Sequence, residues 1–183
     1  MGSRLITACI WASAMAVSLD ASRAQVRAPV DPAPMKKPVA TTVGIGDGYG
    51  VGTLDQFYDV RITVLEVVRG EKALALLKQA SPSIQVPKSG LEYLLARIKF
   101  EFLAKTGNYG VSEDMFSATS PVGKEYDSFI VRQLKPSLNG RLYSGESLEG
   151  WVAFQVSSED NKPLMTFGQG GIQGPGQVWF QLY

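Results

Sequence analysis

Apolar and polar residues alternate along two long segments, a pattern typical of β-strands that bury one face. The segments run from Tyr58 to Val68 and from Leu91 to Ala104. The positions that we predict to face the core in the first segment are Tyr58, Val60, Ile62 and Val64. In the second segment they are Leu94, Ala96, Ile98, Phe100 and Phe102. Charged residues occupy the opposite face, so each strand is expected to belong to an antiparallel sheet that is exposed on one side.

Shorter strands follow, separated by turn residues. The candidates are Met115 to Thr119, Glu125 to Leu134, Gly140 to Ser144, Ser147 to Ser157, Leu164 to Phe167 and Gln177 to Tyr183. Between the two long strands, Glu71 to Ala80 consists of strong helix formers and is expected to cap one end of the fold. About eight strands and a single helix predict an all-β fold: an immunoglobulin-like antiparallel β-sandwich with one short helix.

The N-terminus has the pattern of a signal peptide. A basic residue at Arg4 precedes an uncharged apolar run from Leu5 to Leu19, and Ser22-Arg23-Ala24 supplies small residues for cleavage after Ala24. The run has about 15 residues, whereas a membrane span needs ~20. We therefore predict that residues 1–24 are removed. The protein would be exported to the periplasm or outside the cell and would not be an integral membrane protein. Lipidation at Cys9 is less favoured, because the apolar run continues past it.

The segment that follows is rich in proline. Gln25 to Thr42 carries Pro29, Pro32, Pro34 and Pro38 and few bulky apolar residues, so it is predicted to be a disordered tether. The folded domain is then expected to span residues 43–183. Within it, Gly150 is expected to allow a bulge or a close approach of another segment.

Composition excludes several kinds of chemistry. The chain has no histidine, so a Ser-His-Asp or Cys-His arrangement is impossible. Cys9 is its only cysteine, so the usual His/Cys zinc sites are excluded in the mature chain. Loss of Arg4, Arg23 and Asp20 with the signal peptide turns 18 basic and 17 acidic residues into 16 of each. A net charge of zero disfavours nucleic acid as a partner. We expect no cofactor and no metal.

Several segments together resemble a known family. They are Ile62 to Glu71 (ITVLEVVRGE), Glu92 to Phe100 (EYLLARIKF), Gly123 to Tyr126 (GKEY) and Gly145 to Val156 (GESLEGWVAFQV). The chain resembles the telokin-like, immunoglobulin-fold domains of unknown function of secreted and lipid-anchored bacterial proteins, a fold group that includes the small immunogenic antigens exported by mycobacteria. The resemblance covers roughly Asp55 to Tyr183. It implies a fold and an exported location, and it supplies no catalytic residues.

Carboxylates are the remaining candidates for catalysis or metal binding. Glu113 with Asp114, and Glu125 with Asp127, form acidic pairs of the kind that a glycosidase uses. The sequence around Glu113 is more typical of a turn before a strand. Asp47, Asp55 and Asp59 do not have the spacing of an EF-hand calcium loop. We therefore expect solvated surface carboxylates rather than an enzyme or a calcium site.

Aromatic residues give the candidate binding surface. Strand alternation places Trp151, Trp179 and Tyr183 opposite the core-facing residues of their strands. Exposed rings among Gln and Glu would suit a sugar or a protein partner. The favoured alternative is that the rings pair across strands and are covered by loops or by the helix. From these features we predict a non-enzymatic binding module of the cell envelope, with an envelope protein or glycan as its partner. The alternatives are a carbohydrate-binding module and a carboxylate-dependent enzyme.

Overall fold

The computed structural model describes residues 31–44, 57–168 and 178–183. The predicted signal peptide, residues 1–24, lies outside the described residues. The elements are β1 (Val39–Gly44), β2 (Phe57–Arg69), α1 (Gly70–Ala80), β3 (Leu91–Phe102), β4 (Asn108–Val111), β5 (Phe116–Thr119), β6 (Glu125–Phe129), β7 (Gly140–Tyr143), β8 (Ser147–Ser157), β9 (Leu164–Phe167) and β10 (Val178–Gln181). The predicted all-β class is therefore confirmed, with one α-helix among the described residues.

The strands form an antiparallel sandwich of two layers, and one strand, β6, pairs with strands of both layers. The order is β1-β2-β3-β8-β6-β5-β9-β10. The first half of β6 pairs with β5 at Tyr126 and Glu125, while its second half, Asp127 to Phe129, pairs with β8. The layer β1-β2-β3-β8 is called the first layer below, and β5-β9-β10 the second layer. At β6 the sheet turns from one layer to the other.

The main core lies between the two layers and is built from the predicted apolar faces. Val60, Ile62 and Val64 of β2 are fully buried. All the predicted core positions of β3 and β8 are buried as well: Leu94, Ala96, Ile98, Phe100, Phe102, Phe154 and Val156 are 0% exposed, and Val152 is 1% exposed. The ring of Phe100 in β3 contacts the ring of Phe167 in β9, with centroids 5.5 Å apart. The alternation in the sequence thus identifies the inner faces correctly.

The small sheet of β4 and β7 covers part of this core. Tyr109 of β4 and Leu142 of β7 are opposite each other and are both buried. The Tyr109 ring stacks on Phe100 at 5.8 Å between centroids. Burial raises the pKa of the Tyr109 hydroxyl to about 12. The sequence did not predict β4, because four residues with a central glycine give no period-two signal.

Helix α1 lies on the outer face of the first layer, so the prediction that it caps an end of the sandwich is wrong. Its buried residues Ala73 and Leu77 pack in a second apolar cluster with Tyr93, Leu95 and Ala153, called the outer cluster below. The physical reason is that Leu95 and Ala153 are apolar residues on the face opposite the core. They need a cover, and the helix supplies it.

The N-terminal segment is part of the fold, and the prediction of a disordered tether up to Thr42 is wrong for residues 31–42. The Ala33 N–H donates to the Trp179 carbonyl at 2.9 Å, and the Gln181 N–H donates to the Ala33 carbonyl at 2.8 Å. Three residues later the Lys36 N–H donates to the Val64 carbonyl at 2.8 Å. The segment therefore connects the edge of the second layer to the edge of the first.

The same segment then continues as β1, which pairs with β2 from Val39 opposite Ile62 to Gly44 opposite Phe57. Proline did not prevent this, because Pro32, Pro34 and Pro38 precede the strand rather than interrupt it. Ala33 and Val43 are buried in the main core. Backbone hydrogen bonds to two sheet edges thus replace the bulky side chains that the composition lacks.

Gly150 allows the close approach that the sequence predicts. The backbone of Ser137 and Leu138 lies directly where a Cβ on Gly150 would stand. The neighbouring Trp151 N–H donates to the Pro136 carbonyl at 3.1 Å, so the segment runs along β8 beyond the end of β6. Within the described ranges, no helix is long and apolar enough to cross a membrane.

The contact at Gly150 predicts a specific sensitivity to a single methyl group. Gly150→Ala is expected to lower the free energy of unfolding by about 2–4 kcal/mol, because the backbone of residues 137–138 must move away. Gly110→Ala is the matched control, since its added Cβ has no neighbour within 4 Å. The control should stay within about 0.5 kcal/mol. Urea denaturation measures both, and equal stabilities would show that the segment does not lie against β8.

The N-terminal segment gives a second prediction. A chain beginning at Val43 should unfold about 5–10 °C below one beginning at Asp31, because it loses the hydrogen bonds of Ala33 and most of β1. Ala33→Asp should also destabilise the longer chain, because Ala33 is only 9% exposed. Ala40→Asp, at an exposed position of β1, is the control and should be neutral. Identical melting temperatures for the two chains would show that the segment does not stabilise the domain.

Candidate functional site

A cleft opens where β5 and β6 separate. The two strands pair only at Ala118 with Tyr126 and at Thr119 with Glu125. Beyond these pairs β5 remains with β9 in the second layer, whereas β6 joins β8 in the first. The gap between them is a cleft of about 280 Å³, lined by Glu113, Asp114, Ser128, Phe129, Ile130 and Ala153.

Two carboxylates form one wall of the cleft. Glu113 and Asp114 begin a 3₁₀ turn, Glu113–Met115, that leads into β5. Glu113 is only 9% exposed, and its Oε1 accepts a hydrogen bond from the Ser137 hydroxyl at 3.3 Å. Asp114 is exposed and accepts a hydrogen bond from the Ser112 hydroxyl. Among the described residues, neither carboxylate forms a salt bridge.

The opposite wall is apolar. Phe129 closes the cleft from the side of β6, and its ring contacts the Tyr93 ring with centroids 5.2 Å apart. Tyr93 is itself held by a hydrogen bond from its hydroxyl to the Gln85 carbonyl at 3.0 Å. Ile130 stands at the rim and is 52% exposed. The cleft therefore combines a fixed aromatic wall and an exposed aliphatic rim with a buried carboxylate.

The three aromatic residues predicted to form a binding face do not share a surface, and this part of the prediction is wrong. Trp151 lies on β8 in the first layer, opposite Arg97 of β3, and packs against the outer cluster. Trp179 lies on β10 in the second layer, opposite Thr166. Tyr183, 45% exposed, follows β10 at the end of the sequence. Strand alternation identified the faces correctly, but the faces belong to different layers.

Trp179 is also covered rather than exposed, as the favoured alternative states. It retains 7% exposure. It lies beside the N-terminal segment, in a groove of about 430 Å³ that is also lined by Ala33, Lys37 and Pro38. Trp151 is half-buried, and Tyr93 is buried in the outer cluster. That Trp151, Trp179 and Tyr183 contact a ligand stays a prediction.

The other carboxylates singled out in the sequence lie apart from the cleft. Glu125 and Asp127 are exposed on β6, and neither lines it. Asp59 is exposed on β2, while Asp47 and Asp55 lie outside the described residues. Within the described parts of the chain, no three carboxylate or cysteine groups come close enough together to hold a metal ion.

A polar network at another part of the sandwich is structural in character. Arg69 at the end of β2 forms an ion pair with Glu92, and its NH2 group donates to the Asp160 carbonyl at 2.7 Å. The Tyr126 hydroxyl donates to Asp160 Oδ2 at 2.6 Å. Burial, together with this carboxylate, raises the pKa of the Tyr126 hydroxyl. The network connects β2, β3 and β6 to the turn that follows β8.

Comparison with known proteins identifies the family profile that the sequence matches. Residues 49–175 match the profile described as Domain of unknown function (DUF4352). No curated protein matches the sequence. The match spans both carboxylates and the apolar walls of the cleft, and it bears out the predicted kinship with bacterial domains of unknown function.

Solved structures show the same fold at very low sequence identity. The yjhA protein from Bacillus subtilis has 8% identity and a TM-score of 0.53, over 82% of this chain and 99% of that one. The ycdA protein from the same organism, described as a candidate lipoprotein, has 11% identity and a TM-score of 0.50. That alignment covers 67% of this chain but 35% of ycdA, so the chain spans about a third of that protein's length. At these identities the likeness shows the fold alone.

A secreted protein from Mycobacterium tuberculosis, MPT63, is also similar, with 11% identity and a TM-score of 0.48 over 84% of this chain and 98% of that one.

The different environments of the two tryptophans are directly measurable. Acrylamide should quench Trp151 in a Trp179→Phe variant more strongly than Trp179 in a Trp151→Phe variant, because Trp179 is almost fully buried. Chains that begin at Gln25 are used so that Trp11 is absent. Circular dichroism of both variants controls for folding. Stronger quenching of Trp179 would restore it as a candidate for an exposed binding face.

Proposed function

Because the chain belongs to the DUF4352 family, whose description assigns no activity, we propose its function from its own surfaces. The protein is a non-catalytic binding module that is exported and works at the bacterial cell envelope. The observation that carries this proposal is the cleft between β5 and β6, with its apolar wall and its buried carboxylate.

Export is supported by two observations. The N-terminal 24 residues have the pattern of a signal peptide with a cleavage site at Ala24. One structural neighbour, ycdA, is described as a candidate lipoprotein. The sandwich itself has a fully buried core without a disulfide in the mature chain, since Cys9 is the only cysteine of the sequence and lies within the predicted signal peptide.

A binding role fits the cleft better than a catalytic one. The two carboxylates are consecutive residues of one short turn, and Asp114 is engaged with the Ser112 hydroxyl. A glycosidase instead needs two carboxyl groups on opposite sides of the scissile bond. The facing wall offers Phe129 and Ile130, which supply contact area and no proton transfer. A binding surface that combines an aromatic ring with a few polar groups is the usual composition of a recognition site.

The carbohydrate-binding alternative has less support from the geometry. Stacking on a sugar requires exposed rings on one face, and Trp151 and Trp179 lie in different layers. Trp179 is moreover buried beside the N-terminal segment. The proposed surface is therefore the cleft and its rim.

The proposal predicts that the envelope retains the protein through Ile130. Purified protein beginning at Gln25 is sedimented with the envelope fraction of its own bacterium. Ile130→Ser should lower the retained amount about five-fold, because an exposed aliphatic rim residue contributes ~1 kcal/mol of apolar contact. Val122→Ser is the control: Val122 is 78% exposed but does not line the cleft, and its retention should be unchanged.

Two results would contradict the proposal. Equal retention of the Ile130→Ser variant and the unaltered protein would exclude the cleft as the binding surface. The proposal that the module is non-catalytic is tested separately. Mass spectrometry of the supernatant detects any fragment that the protein releases from the envelope. Release of fragments that stops in a Glu113→Gln variant would show that the cleft is an active site.

A further inference from the structure

The edge of β6 beside the cleft has no neighbouring strand among the described residues. Asp127 to Phe129 pair with β8 on one side only. On the other side β5 has already moved into the second layer, and no strand among the described residues pairs with this stretch. Unpaired N–H and C=O groups on an exposed strand edge can accept a further strand. Ser128 and Ile130 are exposed along this edge.

The charge in the cleft calls for a cation. A buried carboxylate is costly unless it is paired or well hydrogen-bonded. Glu113 is 9% exposed, and its side chain accepts a hydrogen bond from the neutral Ser137 hydroxyl at 3.3 Å. Asp114 adds a second negative charge at the mouth. Among the described residues no lysine or arginine lies within 4.0 Å of either carboxylate.

The shape of the cleft specifies what carries that cation. Its volume of about 280 Å³ is that of a side-chain pocket rather than of a large ligand site. Phe129, Ile130 and Ala153 form an apolar passage, and the carboxylates stand on the other wall. Lysine and arginine have this amphipathic form, because their aliphatic stems favour apolar surface while their charged ends favour carboxylates.

We propose that the cleft receives the side chain of a lysine or arginine in an extended segment of a partner protein, which adds to the free edge of β6 as a further strand. The inference rests on the proposed binding function and names its ligand. Main-chain hydrogen bonds to residues 127–129 provide affinity, and the basic side chain in the cleft provides specificity.

Short synthetic peptides test the proposal on the chain that begins at Gln25. The probe is acetyl-Thr-Val-Thr-Lys-Val-Thr-Val-amide, and in two matched peptides norleucine or glutamate replaces the lysine. Titrations followed by NMR amide shifts should give a Kd about five-fold lower for lysine than for norleucine, with glutamate weakest. The shifts should include the amides of residues 127–130. Equal affinity for the three peptides would overturn the proposal.

Variants assign the preference to the cleft. Glu113→Gln should reduce the lysine preference to less than about two-fold, whereas Glu159→Gln, at an exposed position that does not line the cleft, should retain it. Asp114→Asn is a second test at an exposed position, so it is informative even where Glu113→Gln unfolds. It should weaken the lysine preference in the same direction. Full preference in both variants would overturn the proposal.

A final comparison separates strand addition from simple cation binding. Two versions of the lysine peptide are N-methylated at alternate residues, one at the odd and one at the even positions, which removes the main-chain donors on one edge of the peptide. Only the version that loses the donors facing β6 should lose binding. Equal binding of the two methylated peptides would overturn the proposal that the peptide adds to β6 as a strand. Binding of acetyl-lysine-amide as tight as that of the whole peptide would overturn it too. Ile130-dependent retention by the envelope without any lysine preference would overturn this inference alone and leave the proposed function standing.

Discussion

The pairing of β6 with two different strands determines the architecture of this domain. A strand has two hydrogen-bonding edges, and β6 uses them at different points along its length, first with β5 and then with β8. The crossing connects the two layers, so that Phe100 of one faces Phe167 of the other. It also forces β5 and β6 apart beyond Tyr126, and the cleft is the space that this separation leaves. The feature that closes one side of the sandwich is thus also the origin of its candidate site.

The elements that depend on side-chain alternation could be predicted from the sequence. β3 and β8 have long alternating runs, and their predicted inner residues are buried as expected. The close approach at Gly150 could also be predicted from the sequence. The backbone at Leu138 lies where a side chain on Gly150 would stand, which explains why this residue is glycine. Side chains along a strand alternate between its two faces with a period of two residues. This alternation is a local property, so a single sequence is enough to detect it.

The elements that depend on distant partners could not be predicted. β1 contains Thr41 and Thr42 and follows several prolines, and its stability comes from the register with β2. Trp179 faces outward as its strand predicts, yet the segment around Ala33, whose composition predicts a tether, lies beside it. The cleft unites residues of a 3₁₀ turn, β6 and β8. The carboxylate pair is visible in the sequence, but the turn chemistry around Ser112 does not indicate that Phe129 and Ile130 line the same cleft.

The two sides of the sandwich differ in a way that bears on how such a module would work. On one side the N-terminal segment bridges β10, at one end of the strand order, and β2, which lies next to β1 at the other end, through Ala33 and Lys36. The cleft lies at β6, in the middle of the strand order and therefore at the opposite side of the folded sheet. Among the described residues, the N-terminal segment pairs with β10 and β2 and not with β6. The edge at which we propose that a partner strand adds is therefore not occupied by the N-terminal segment.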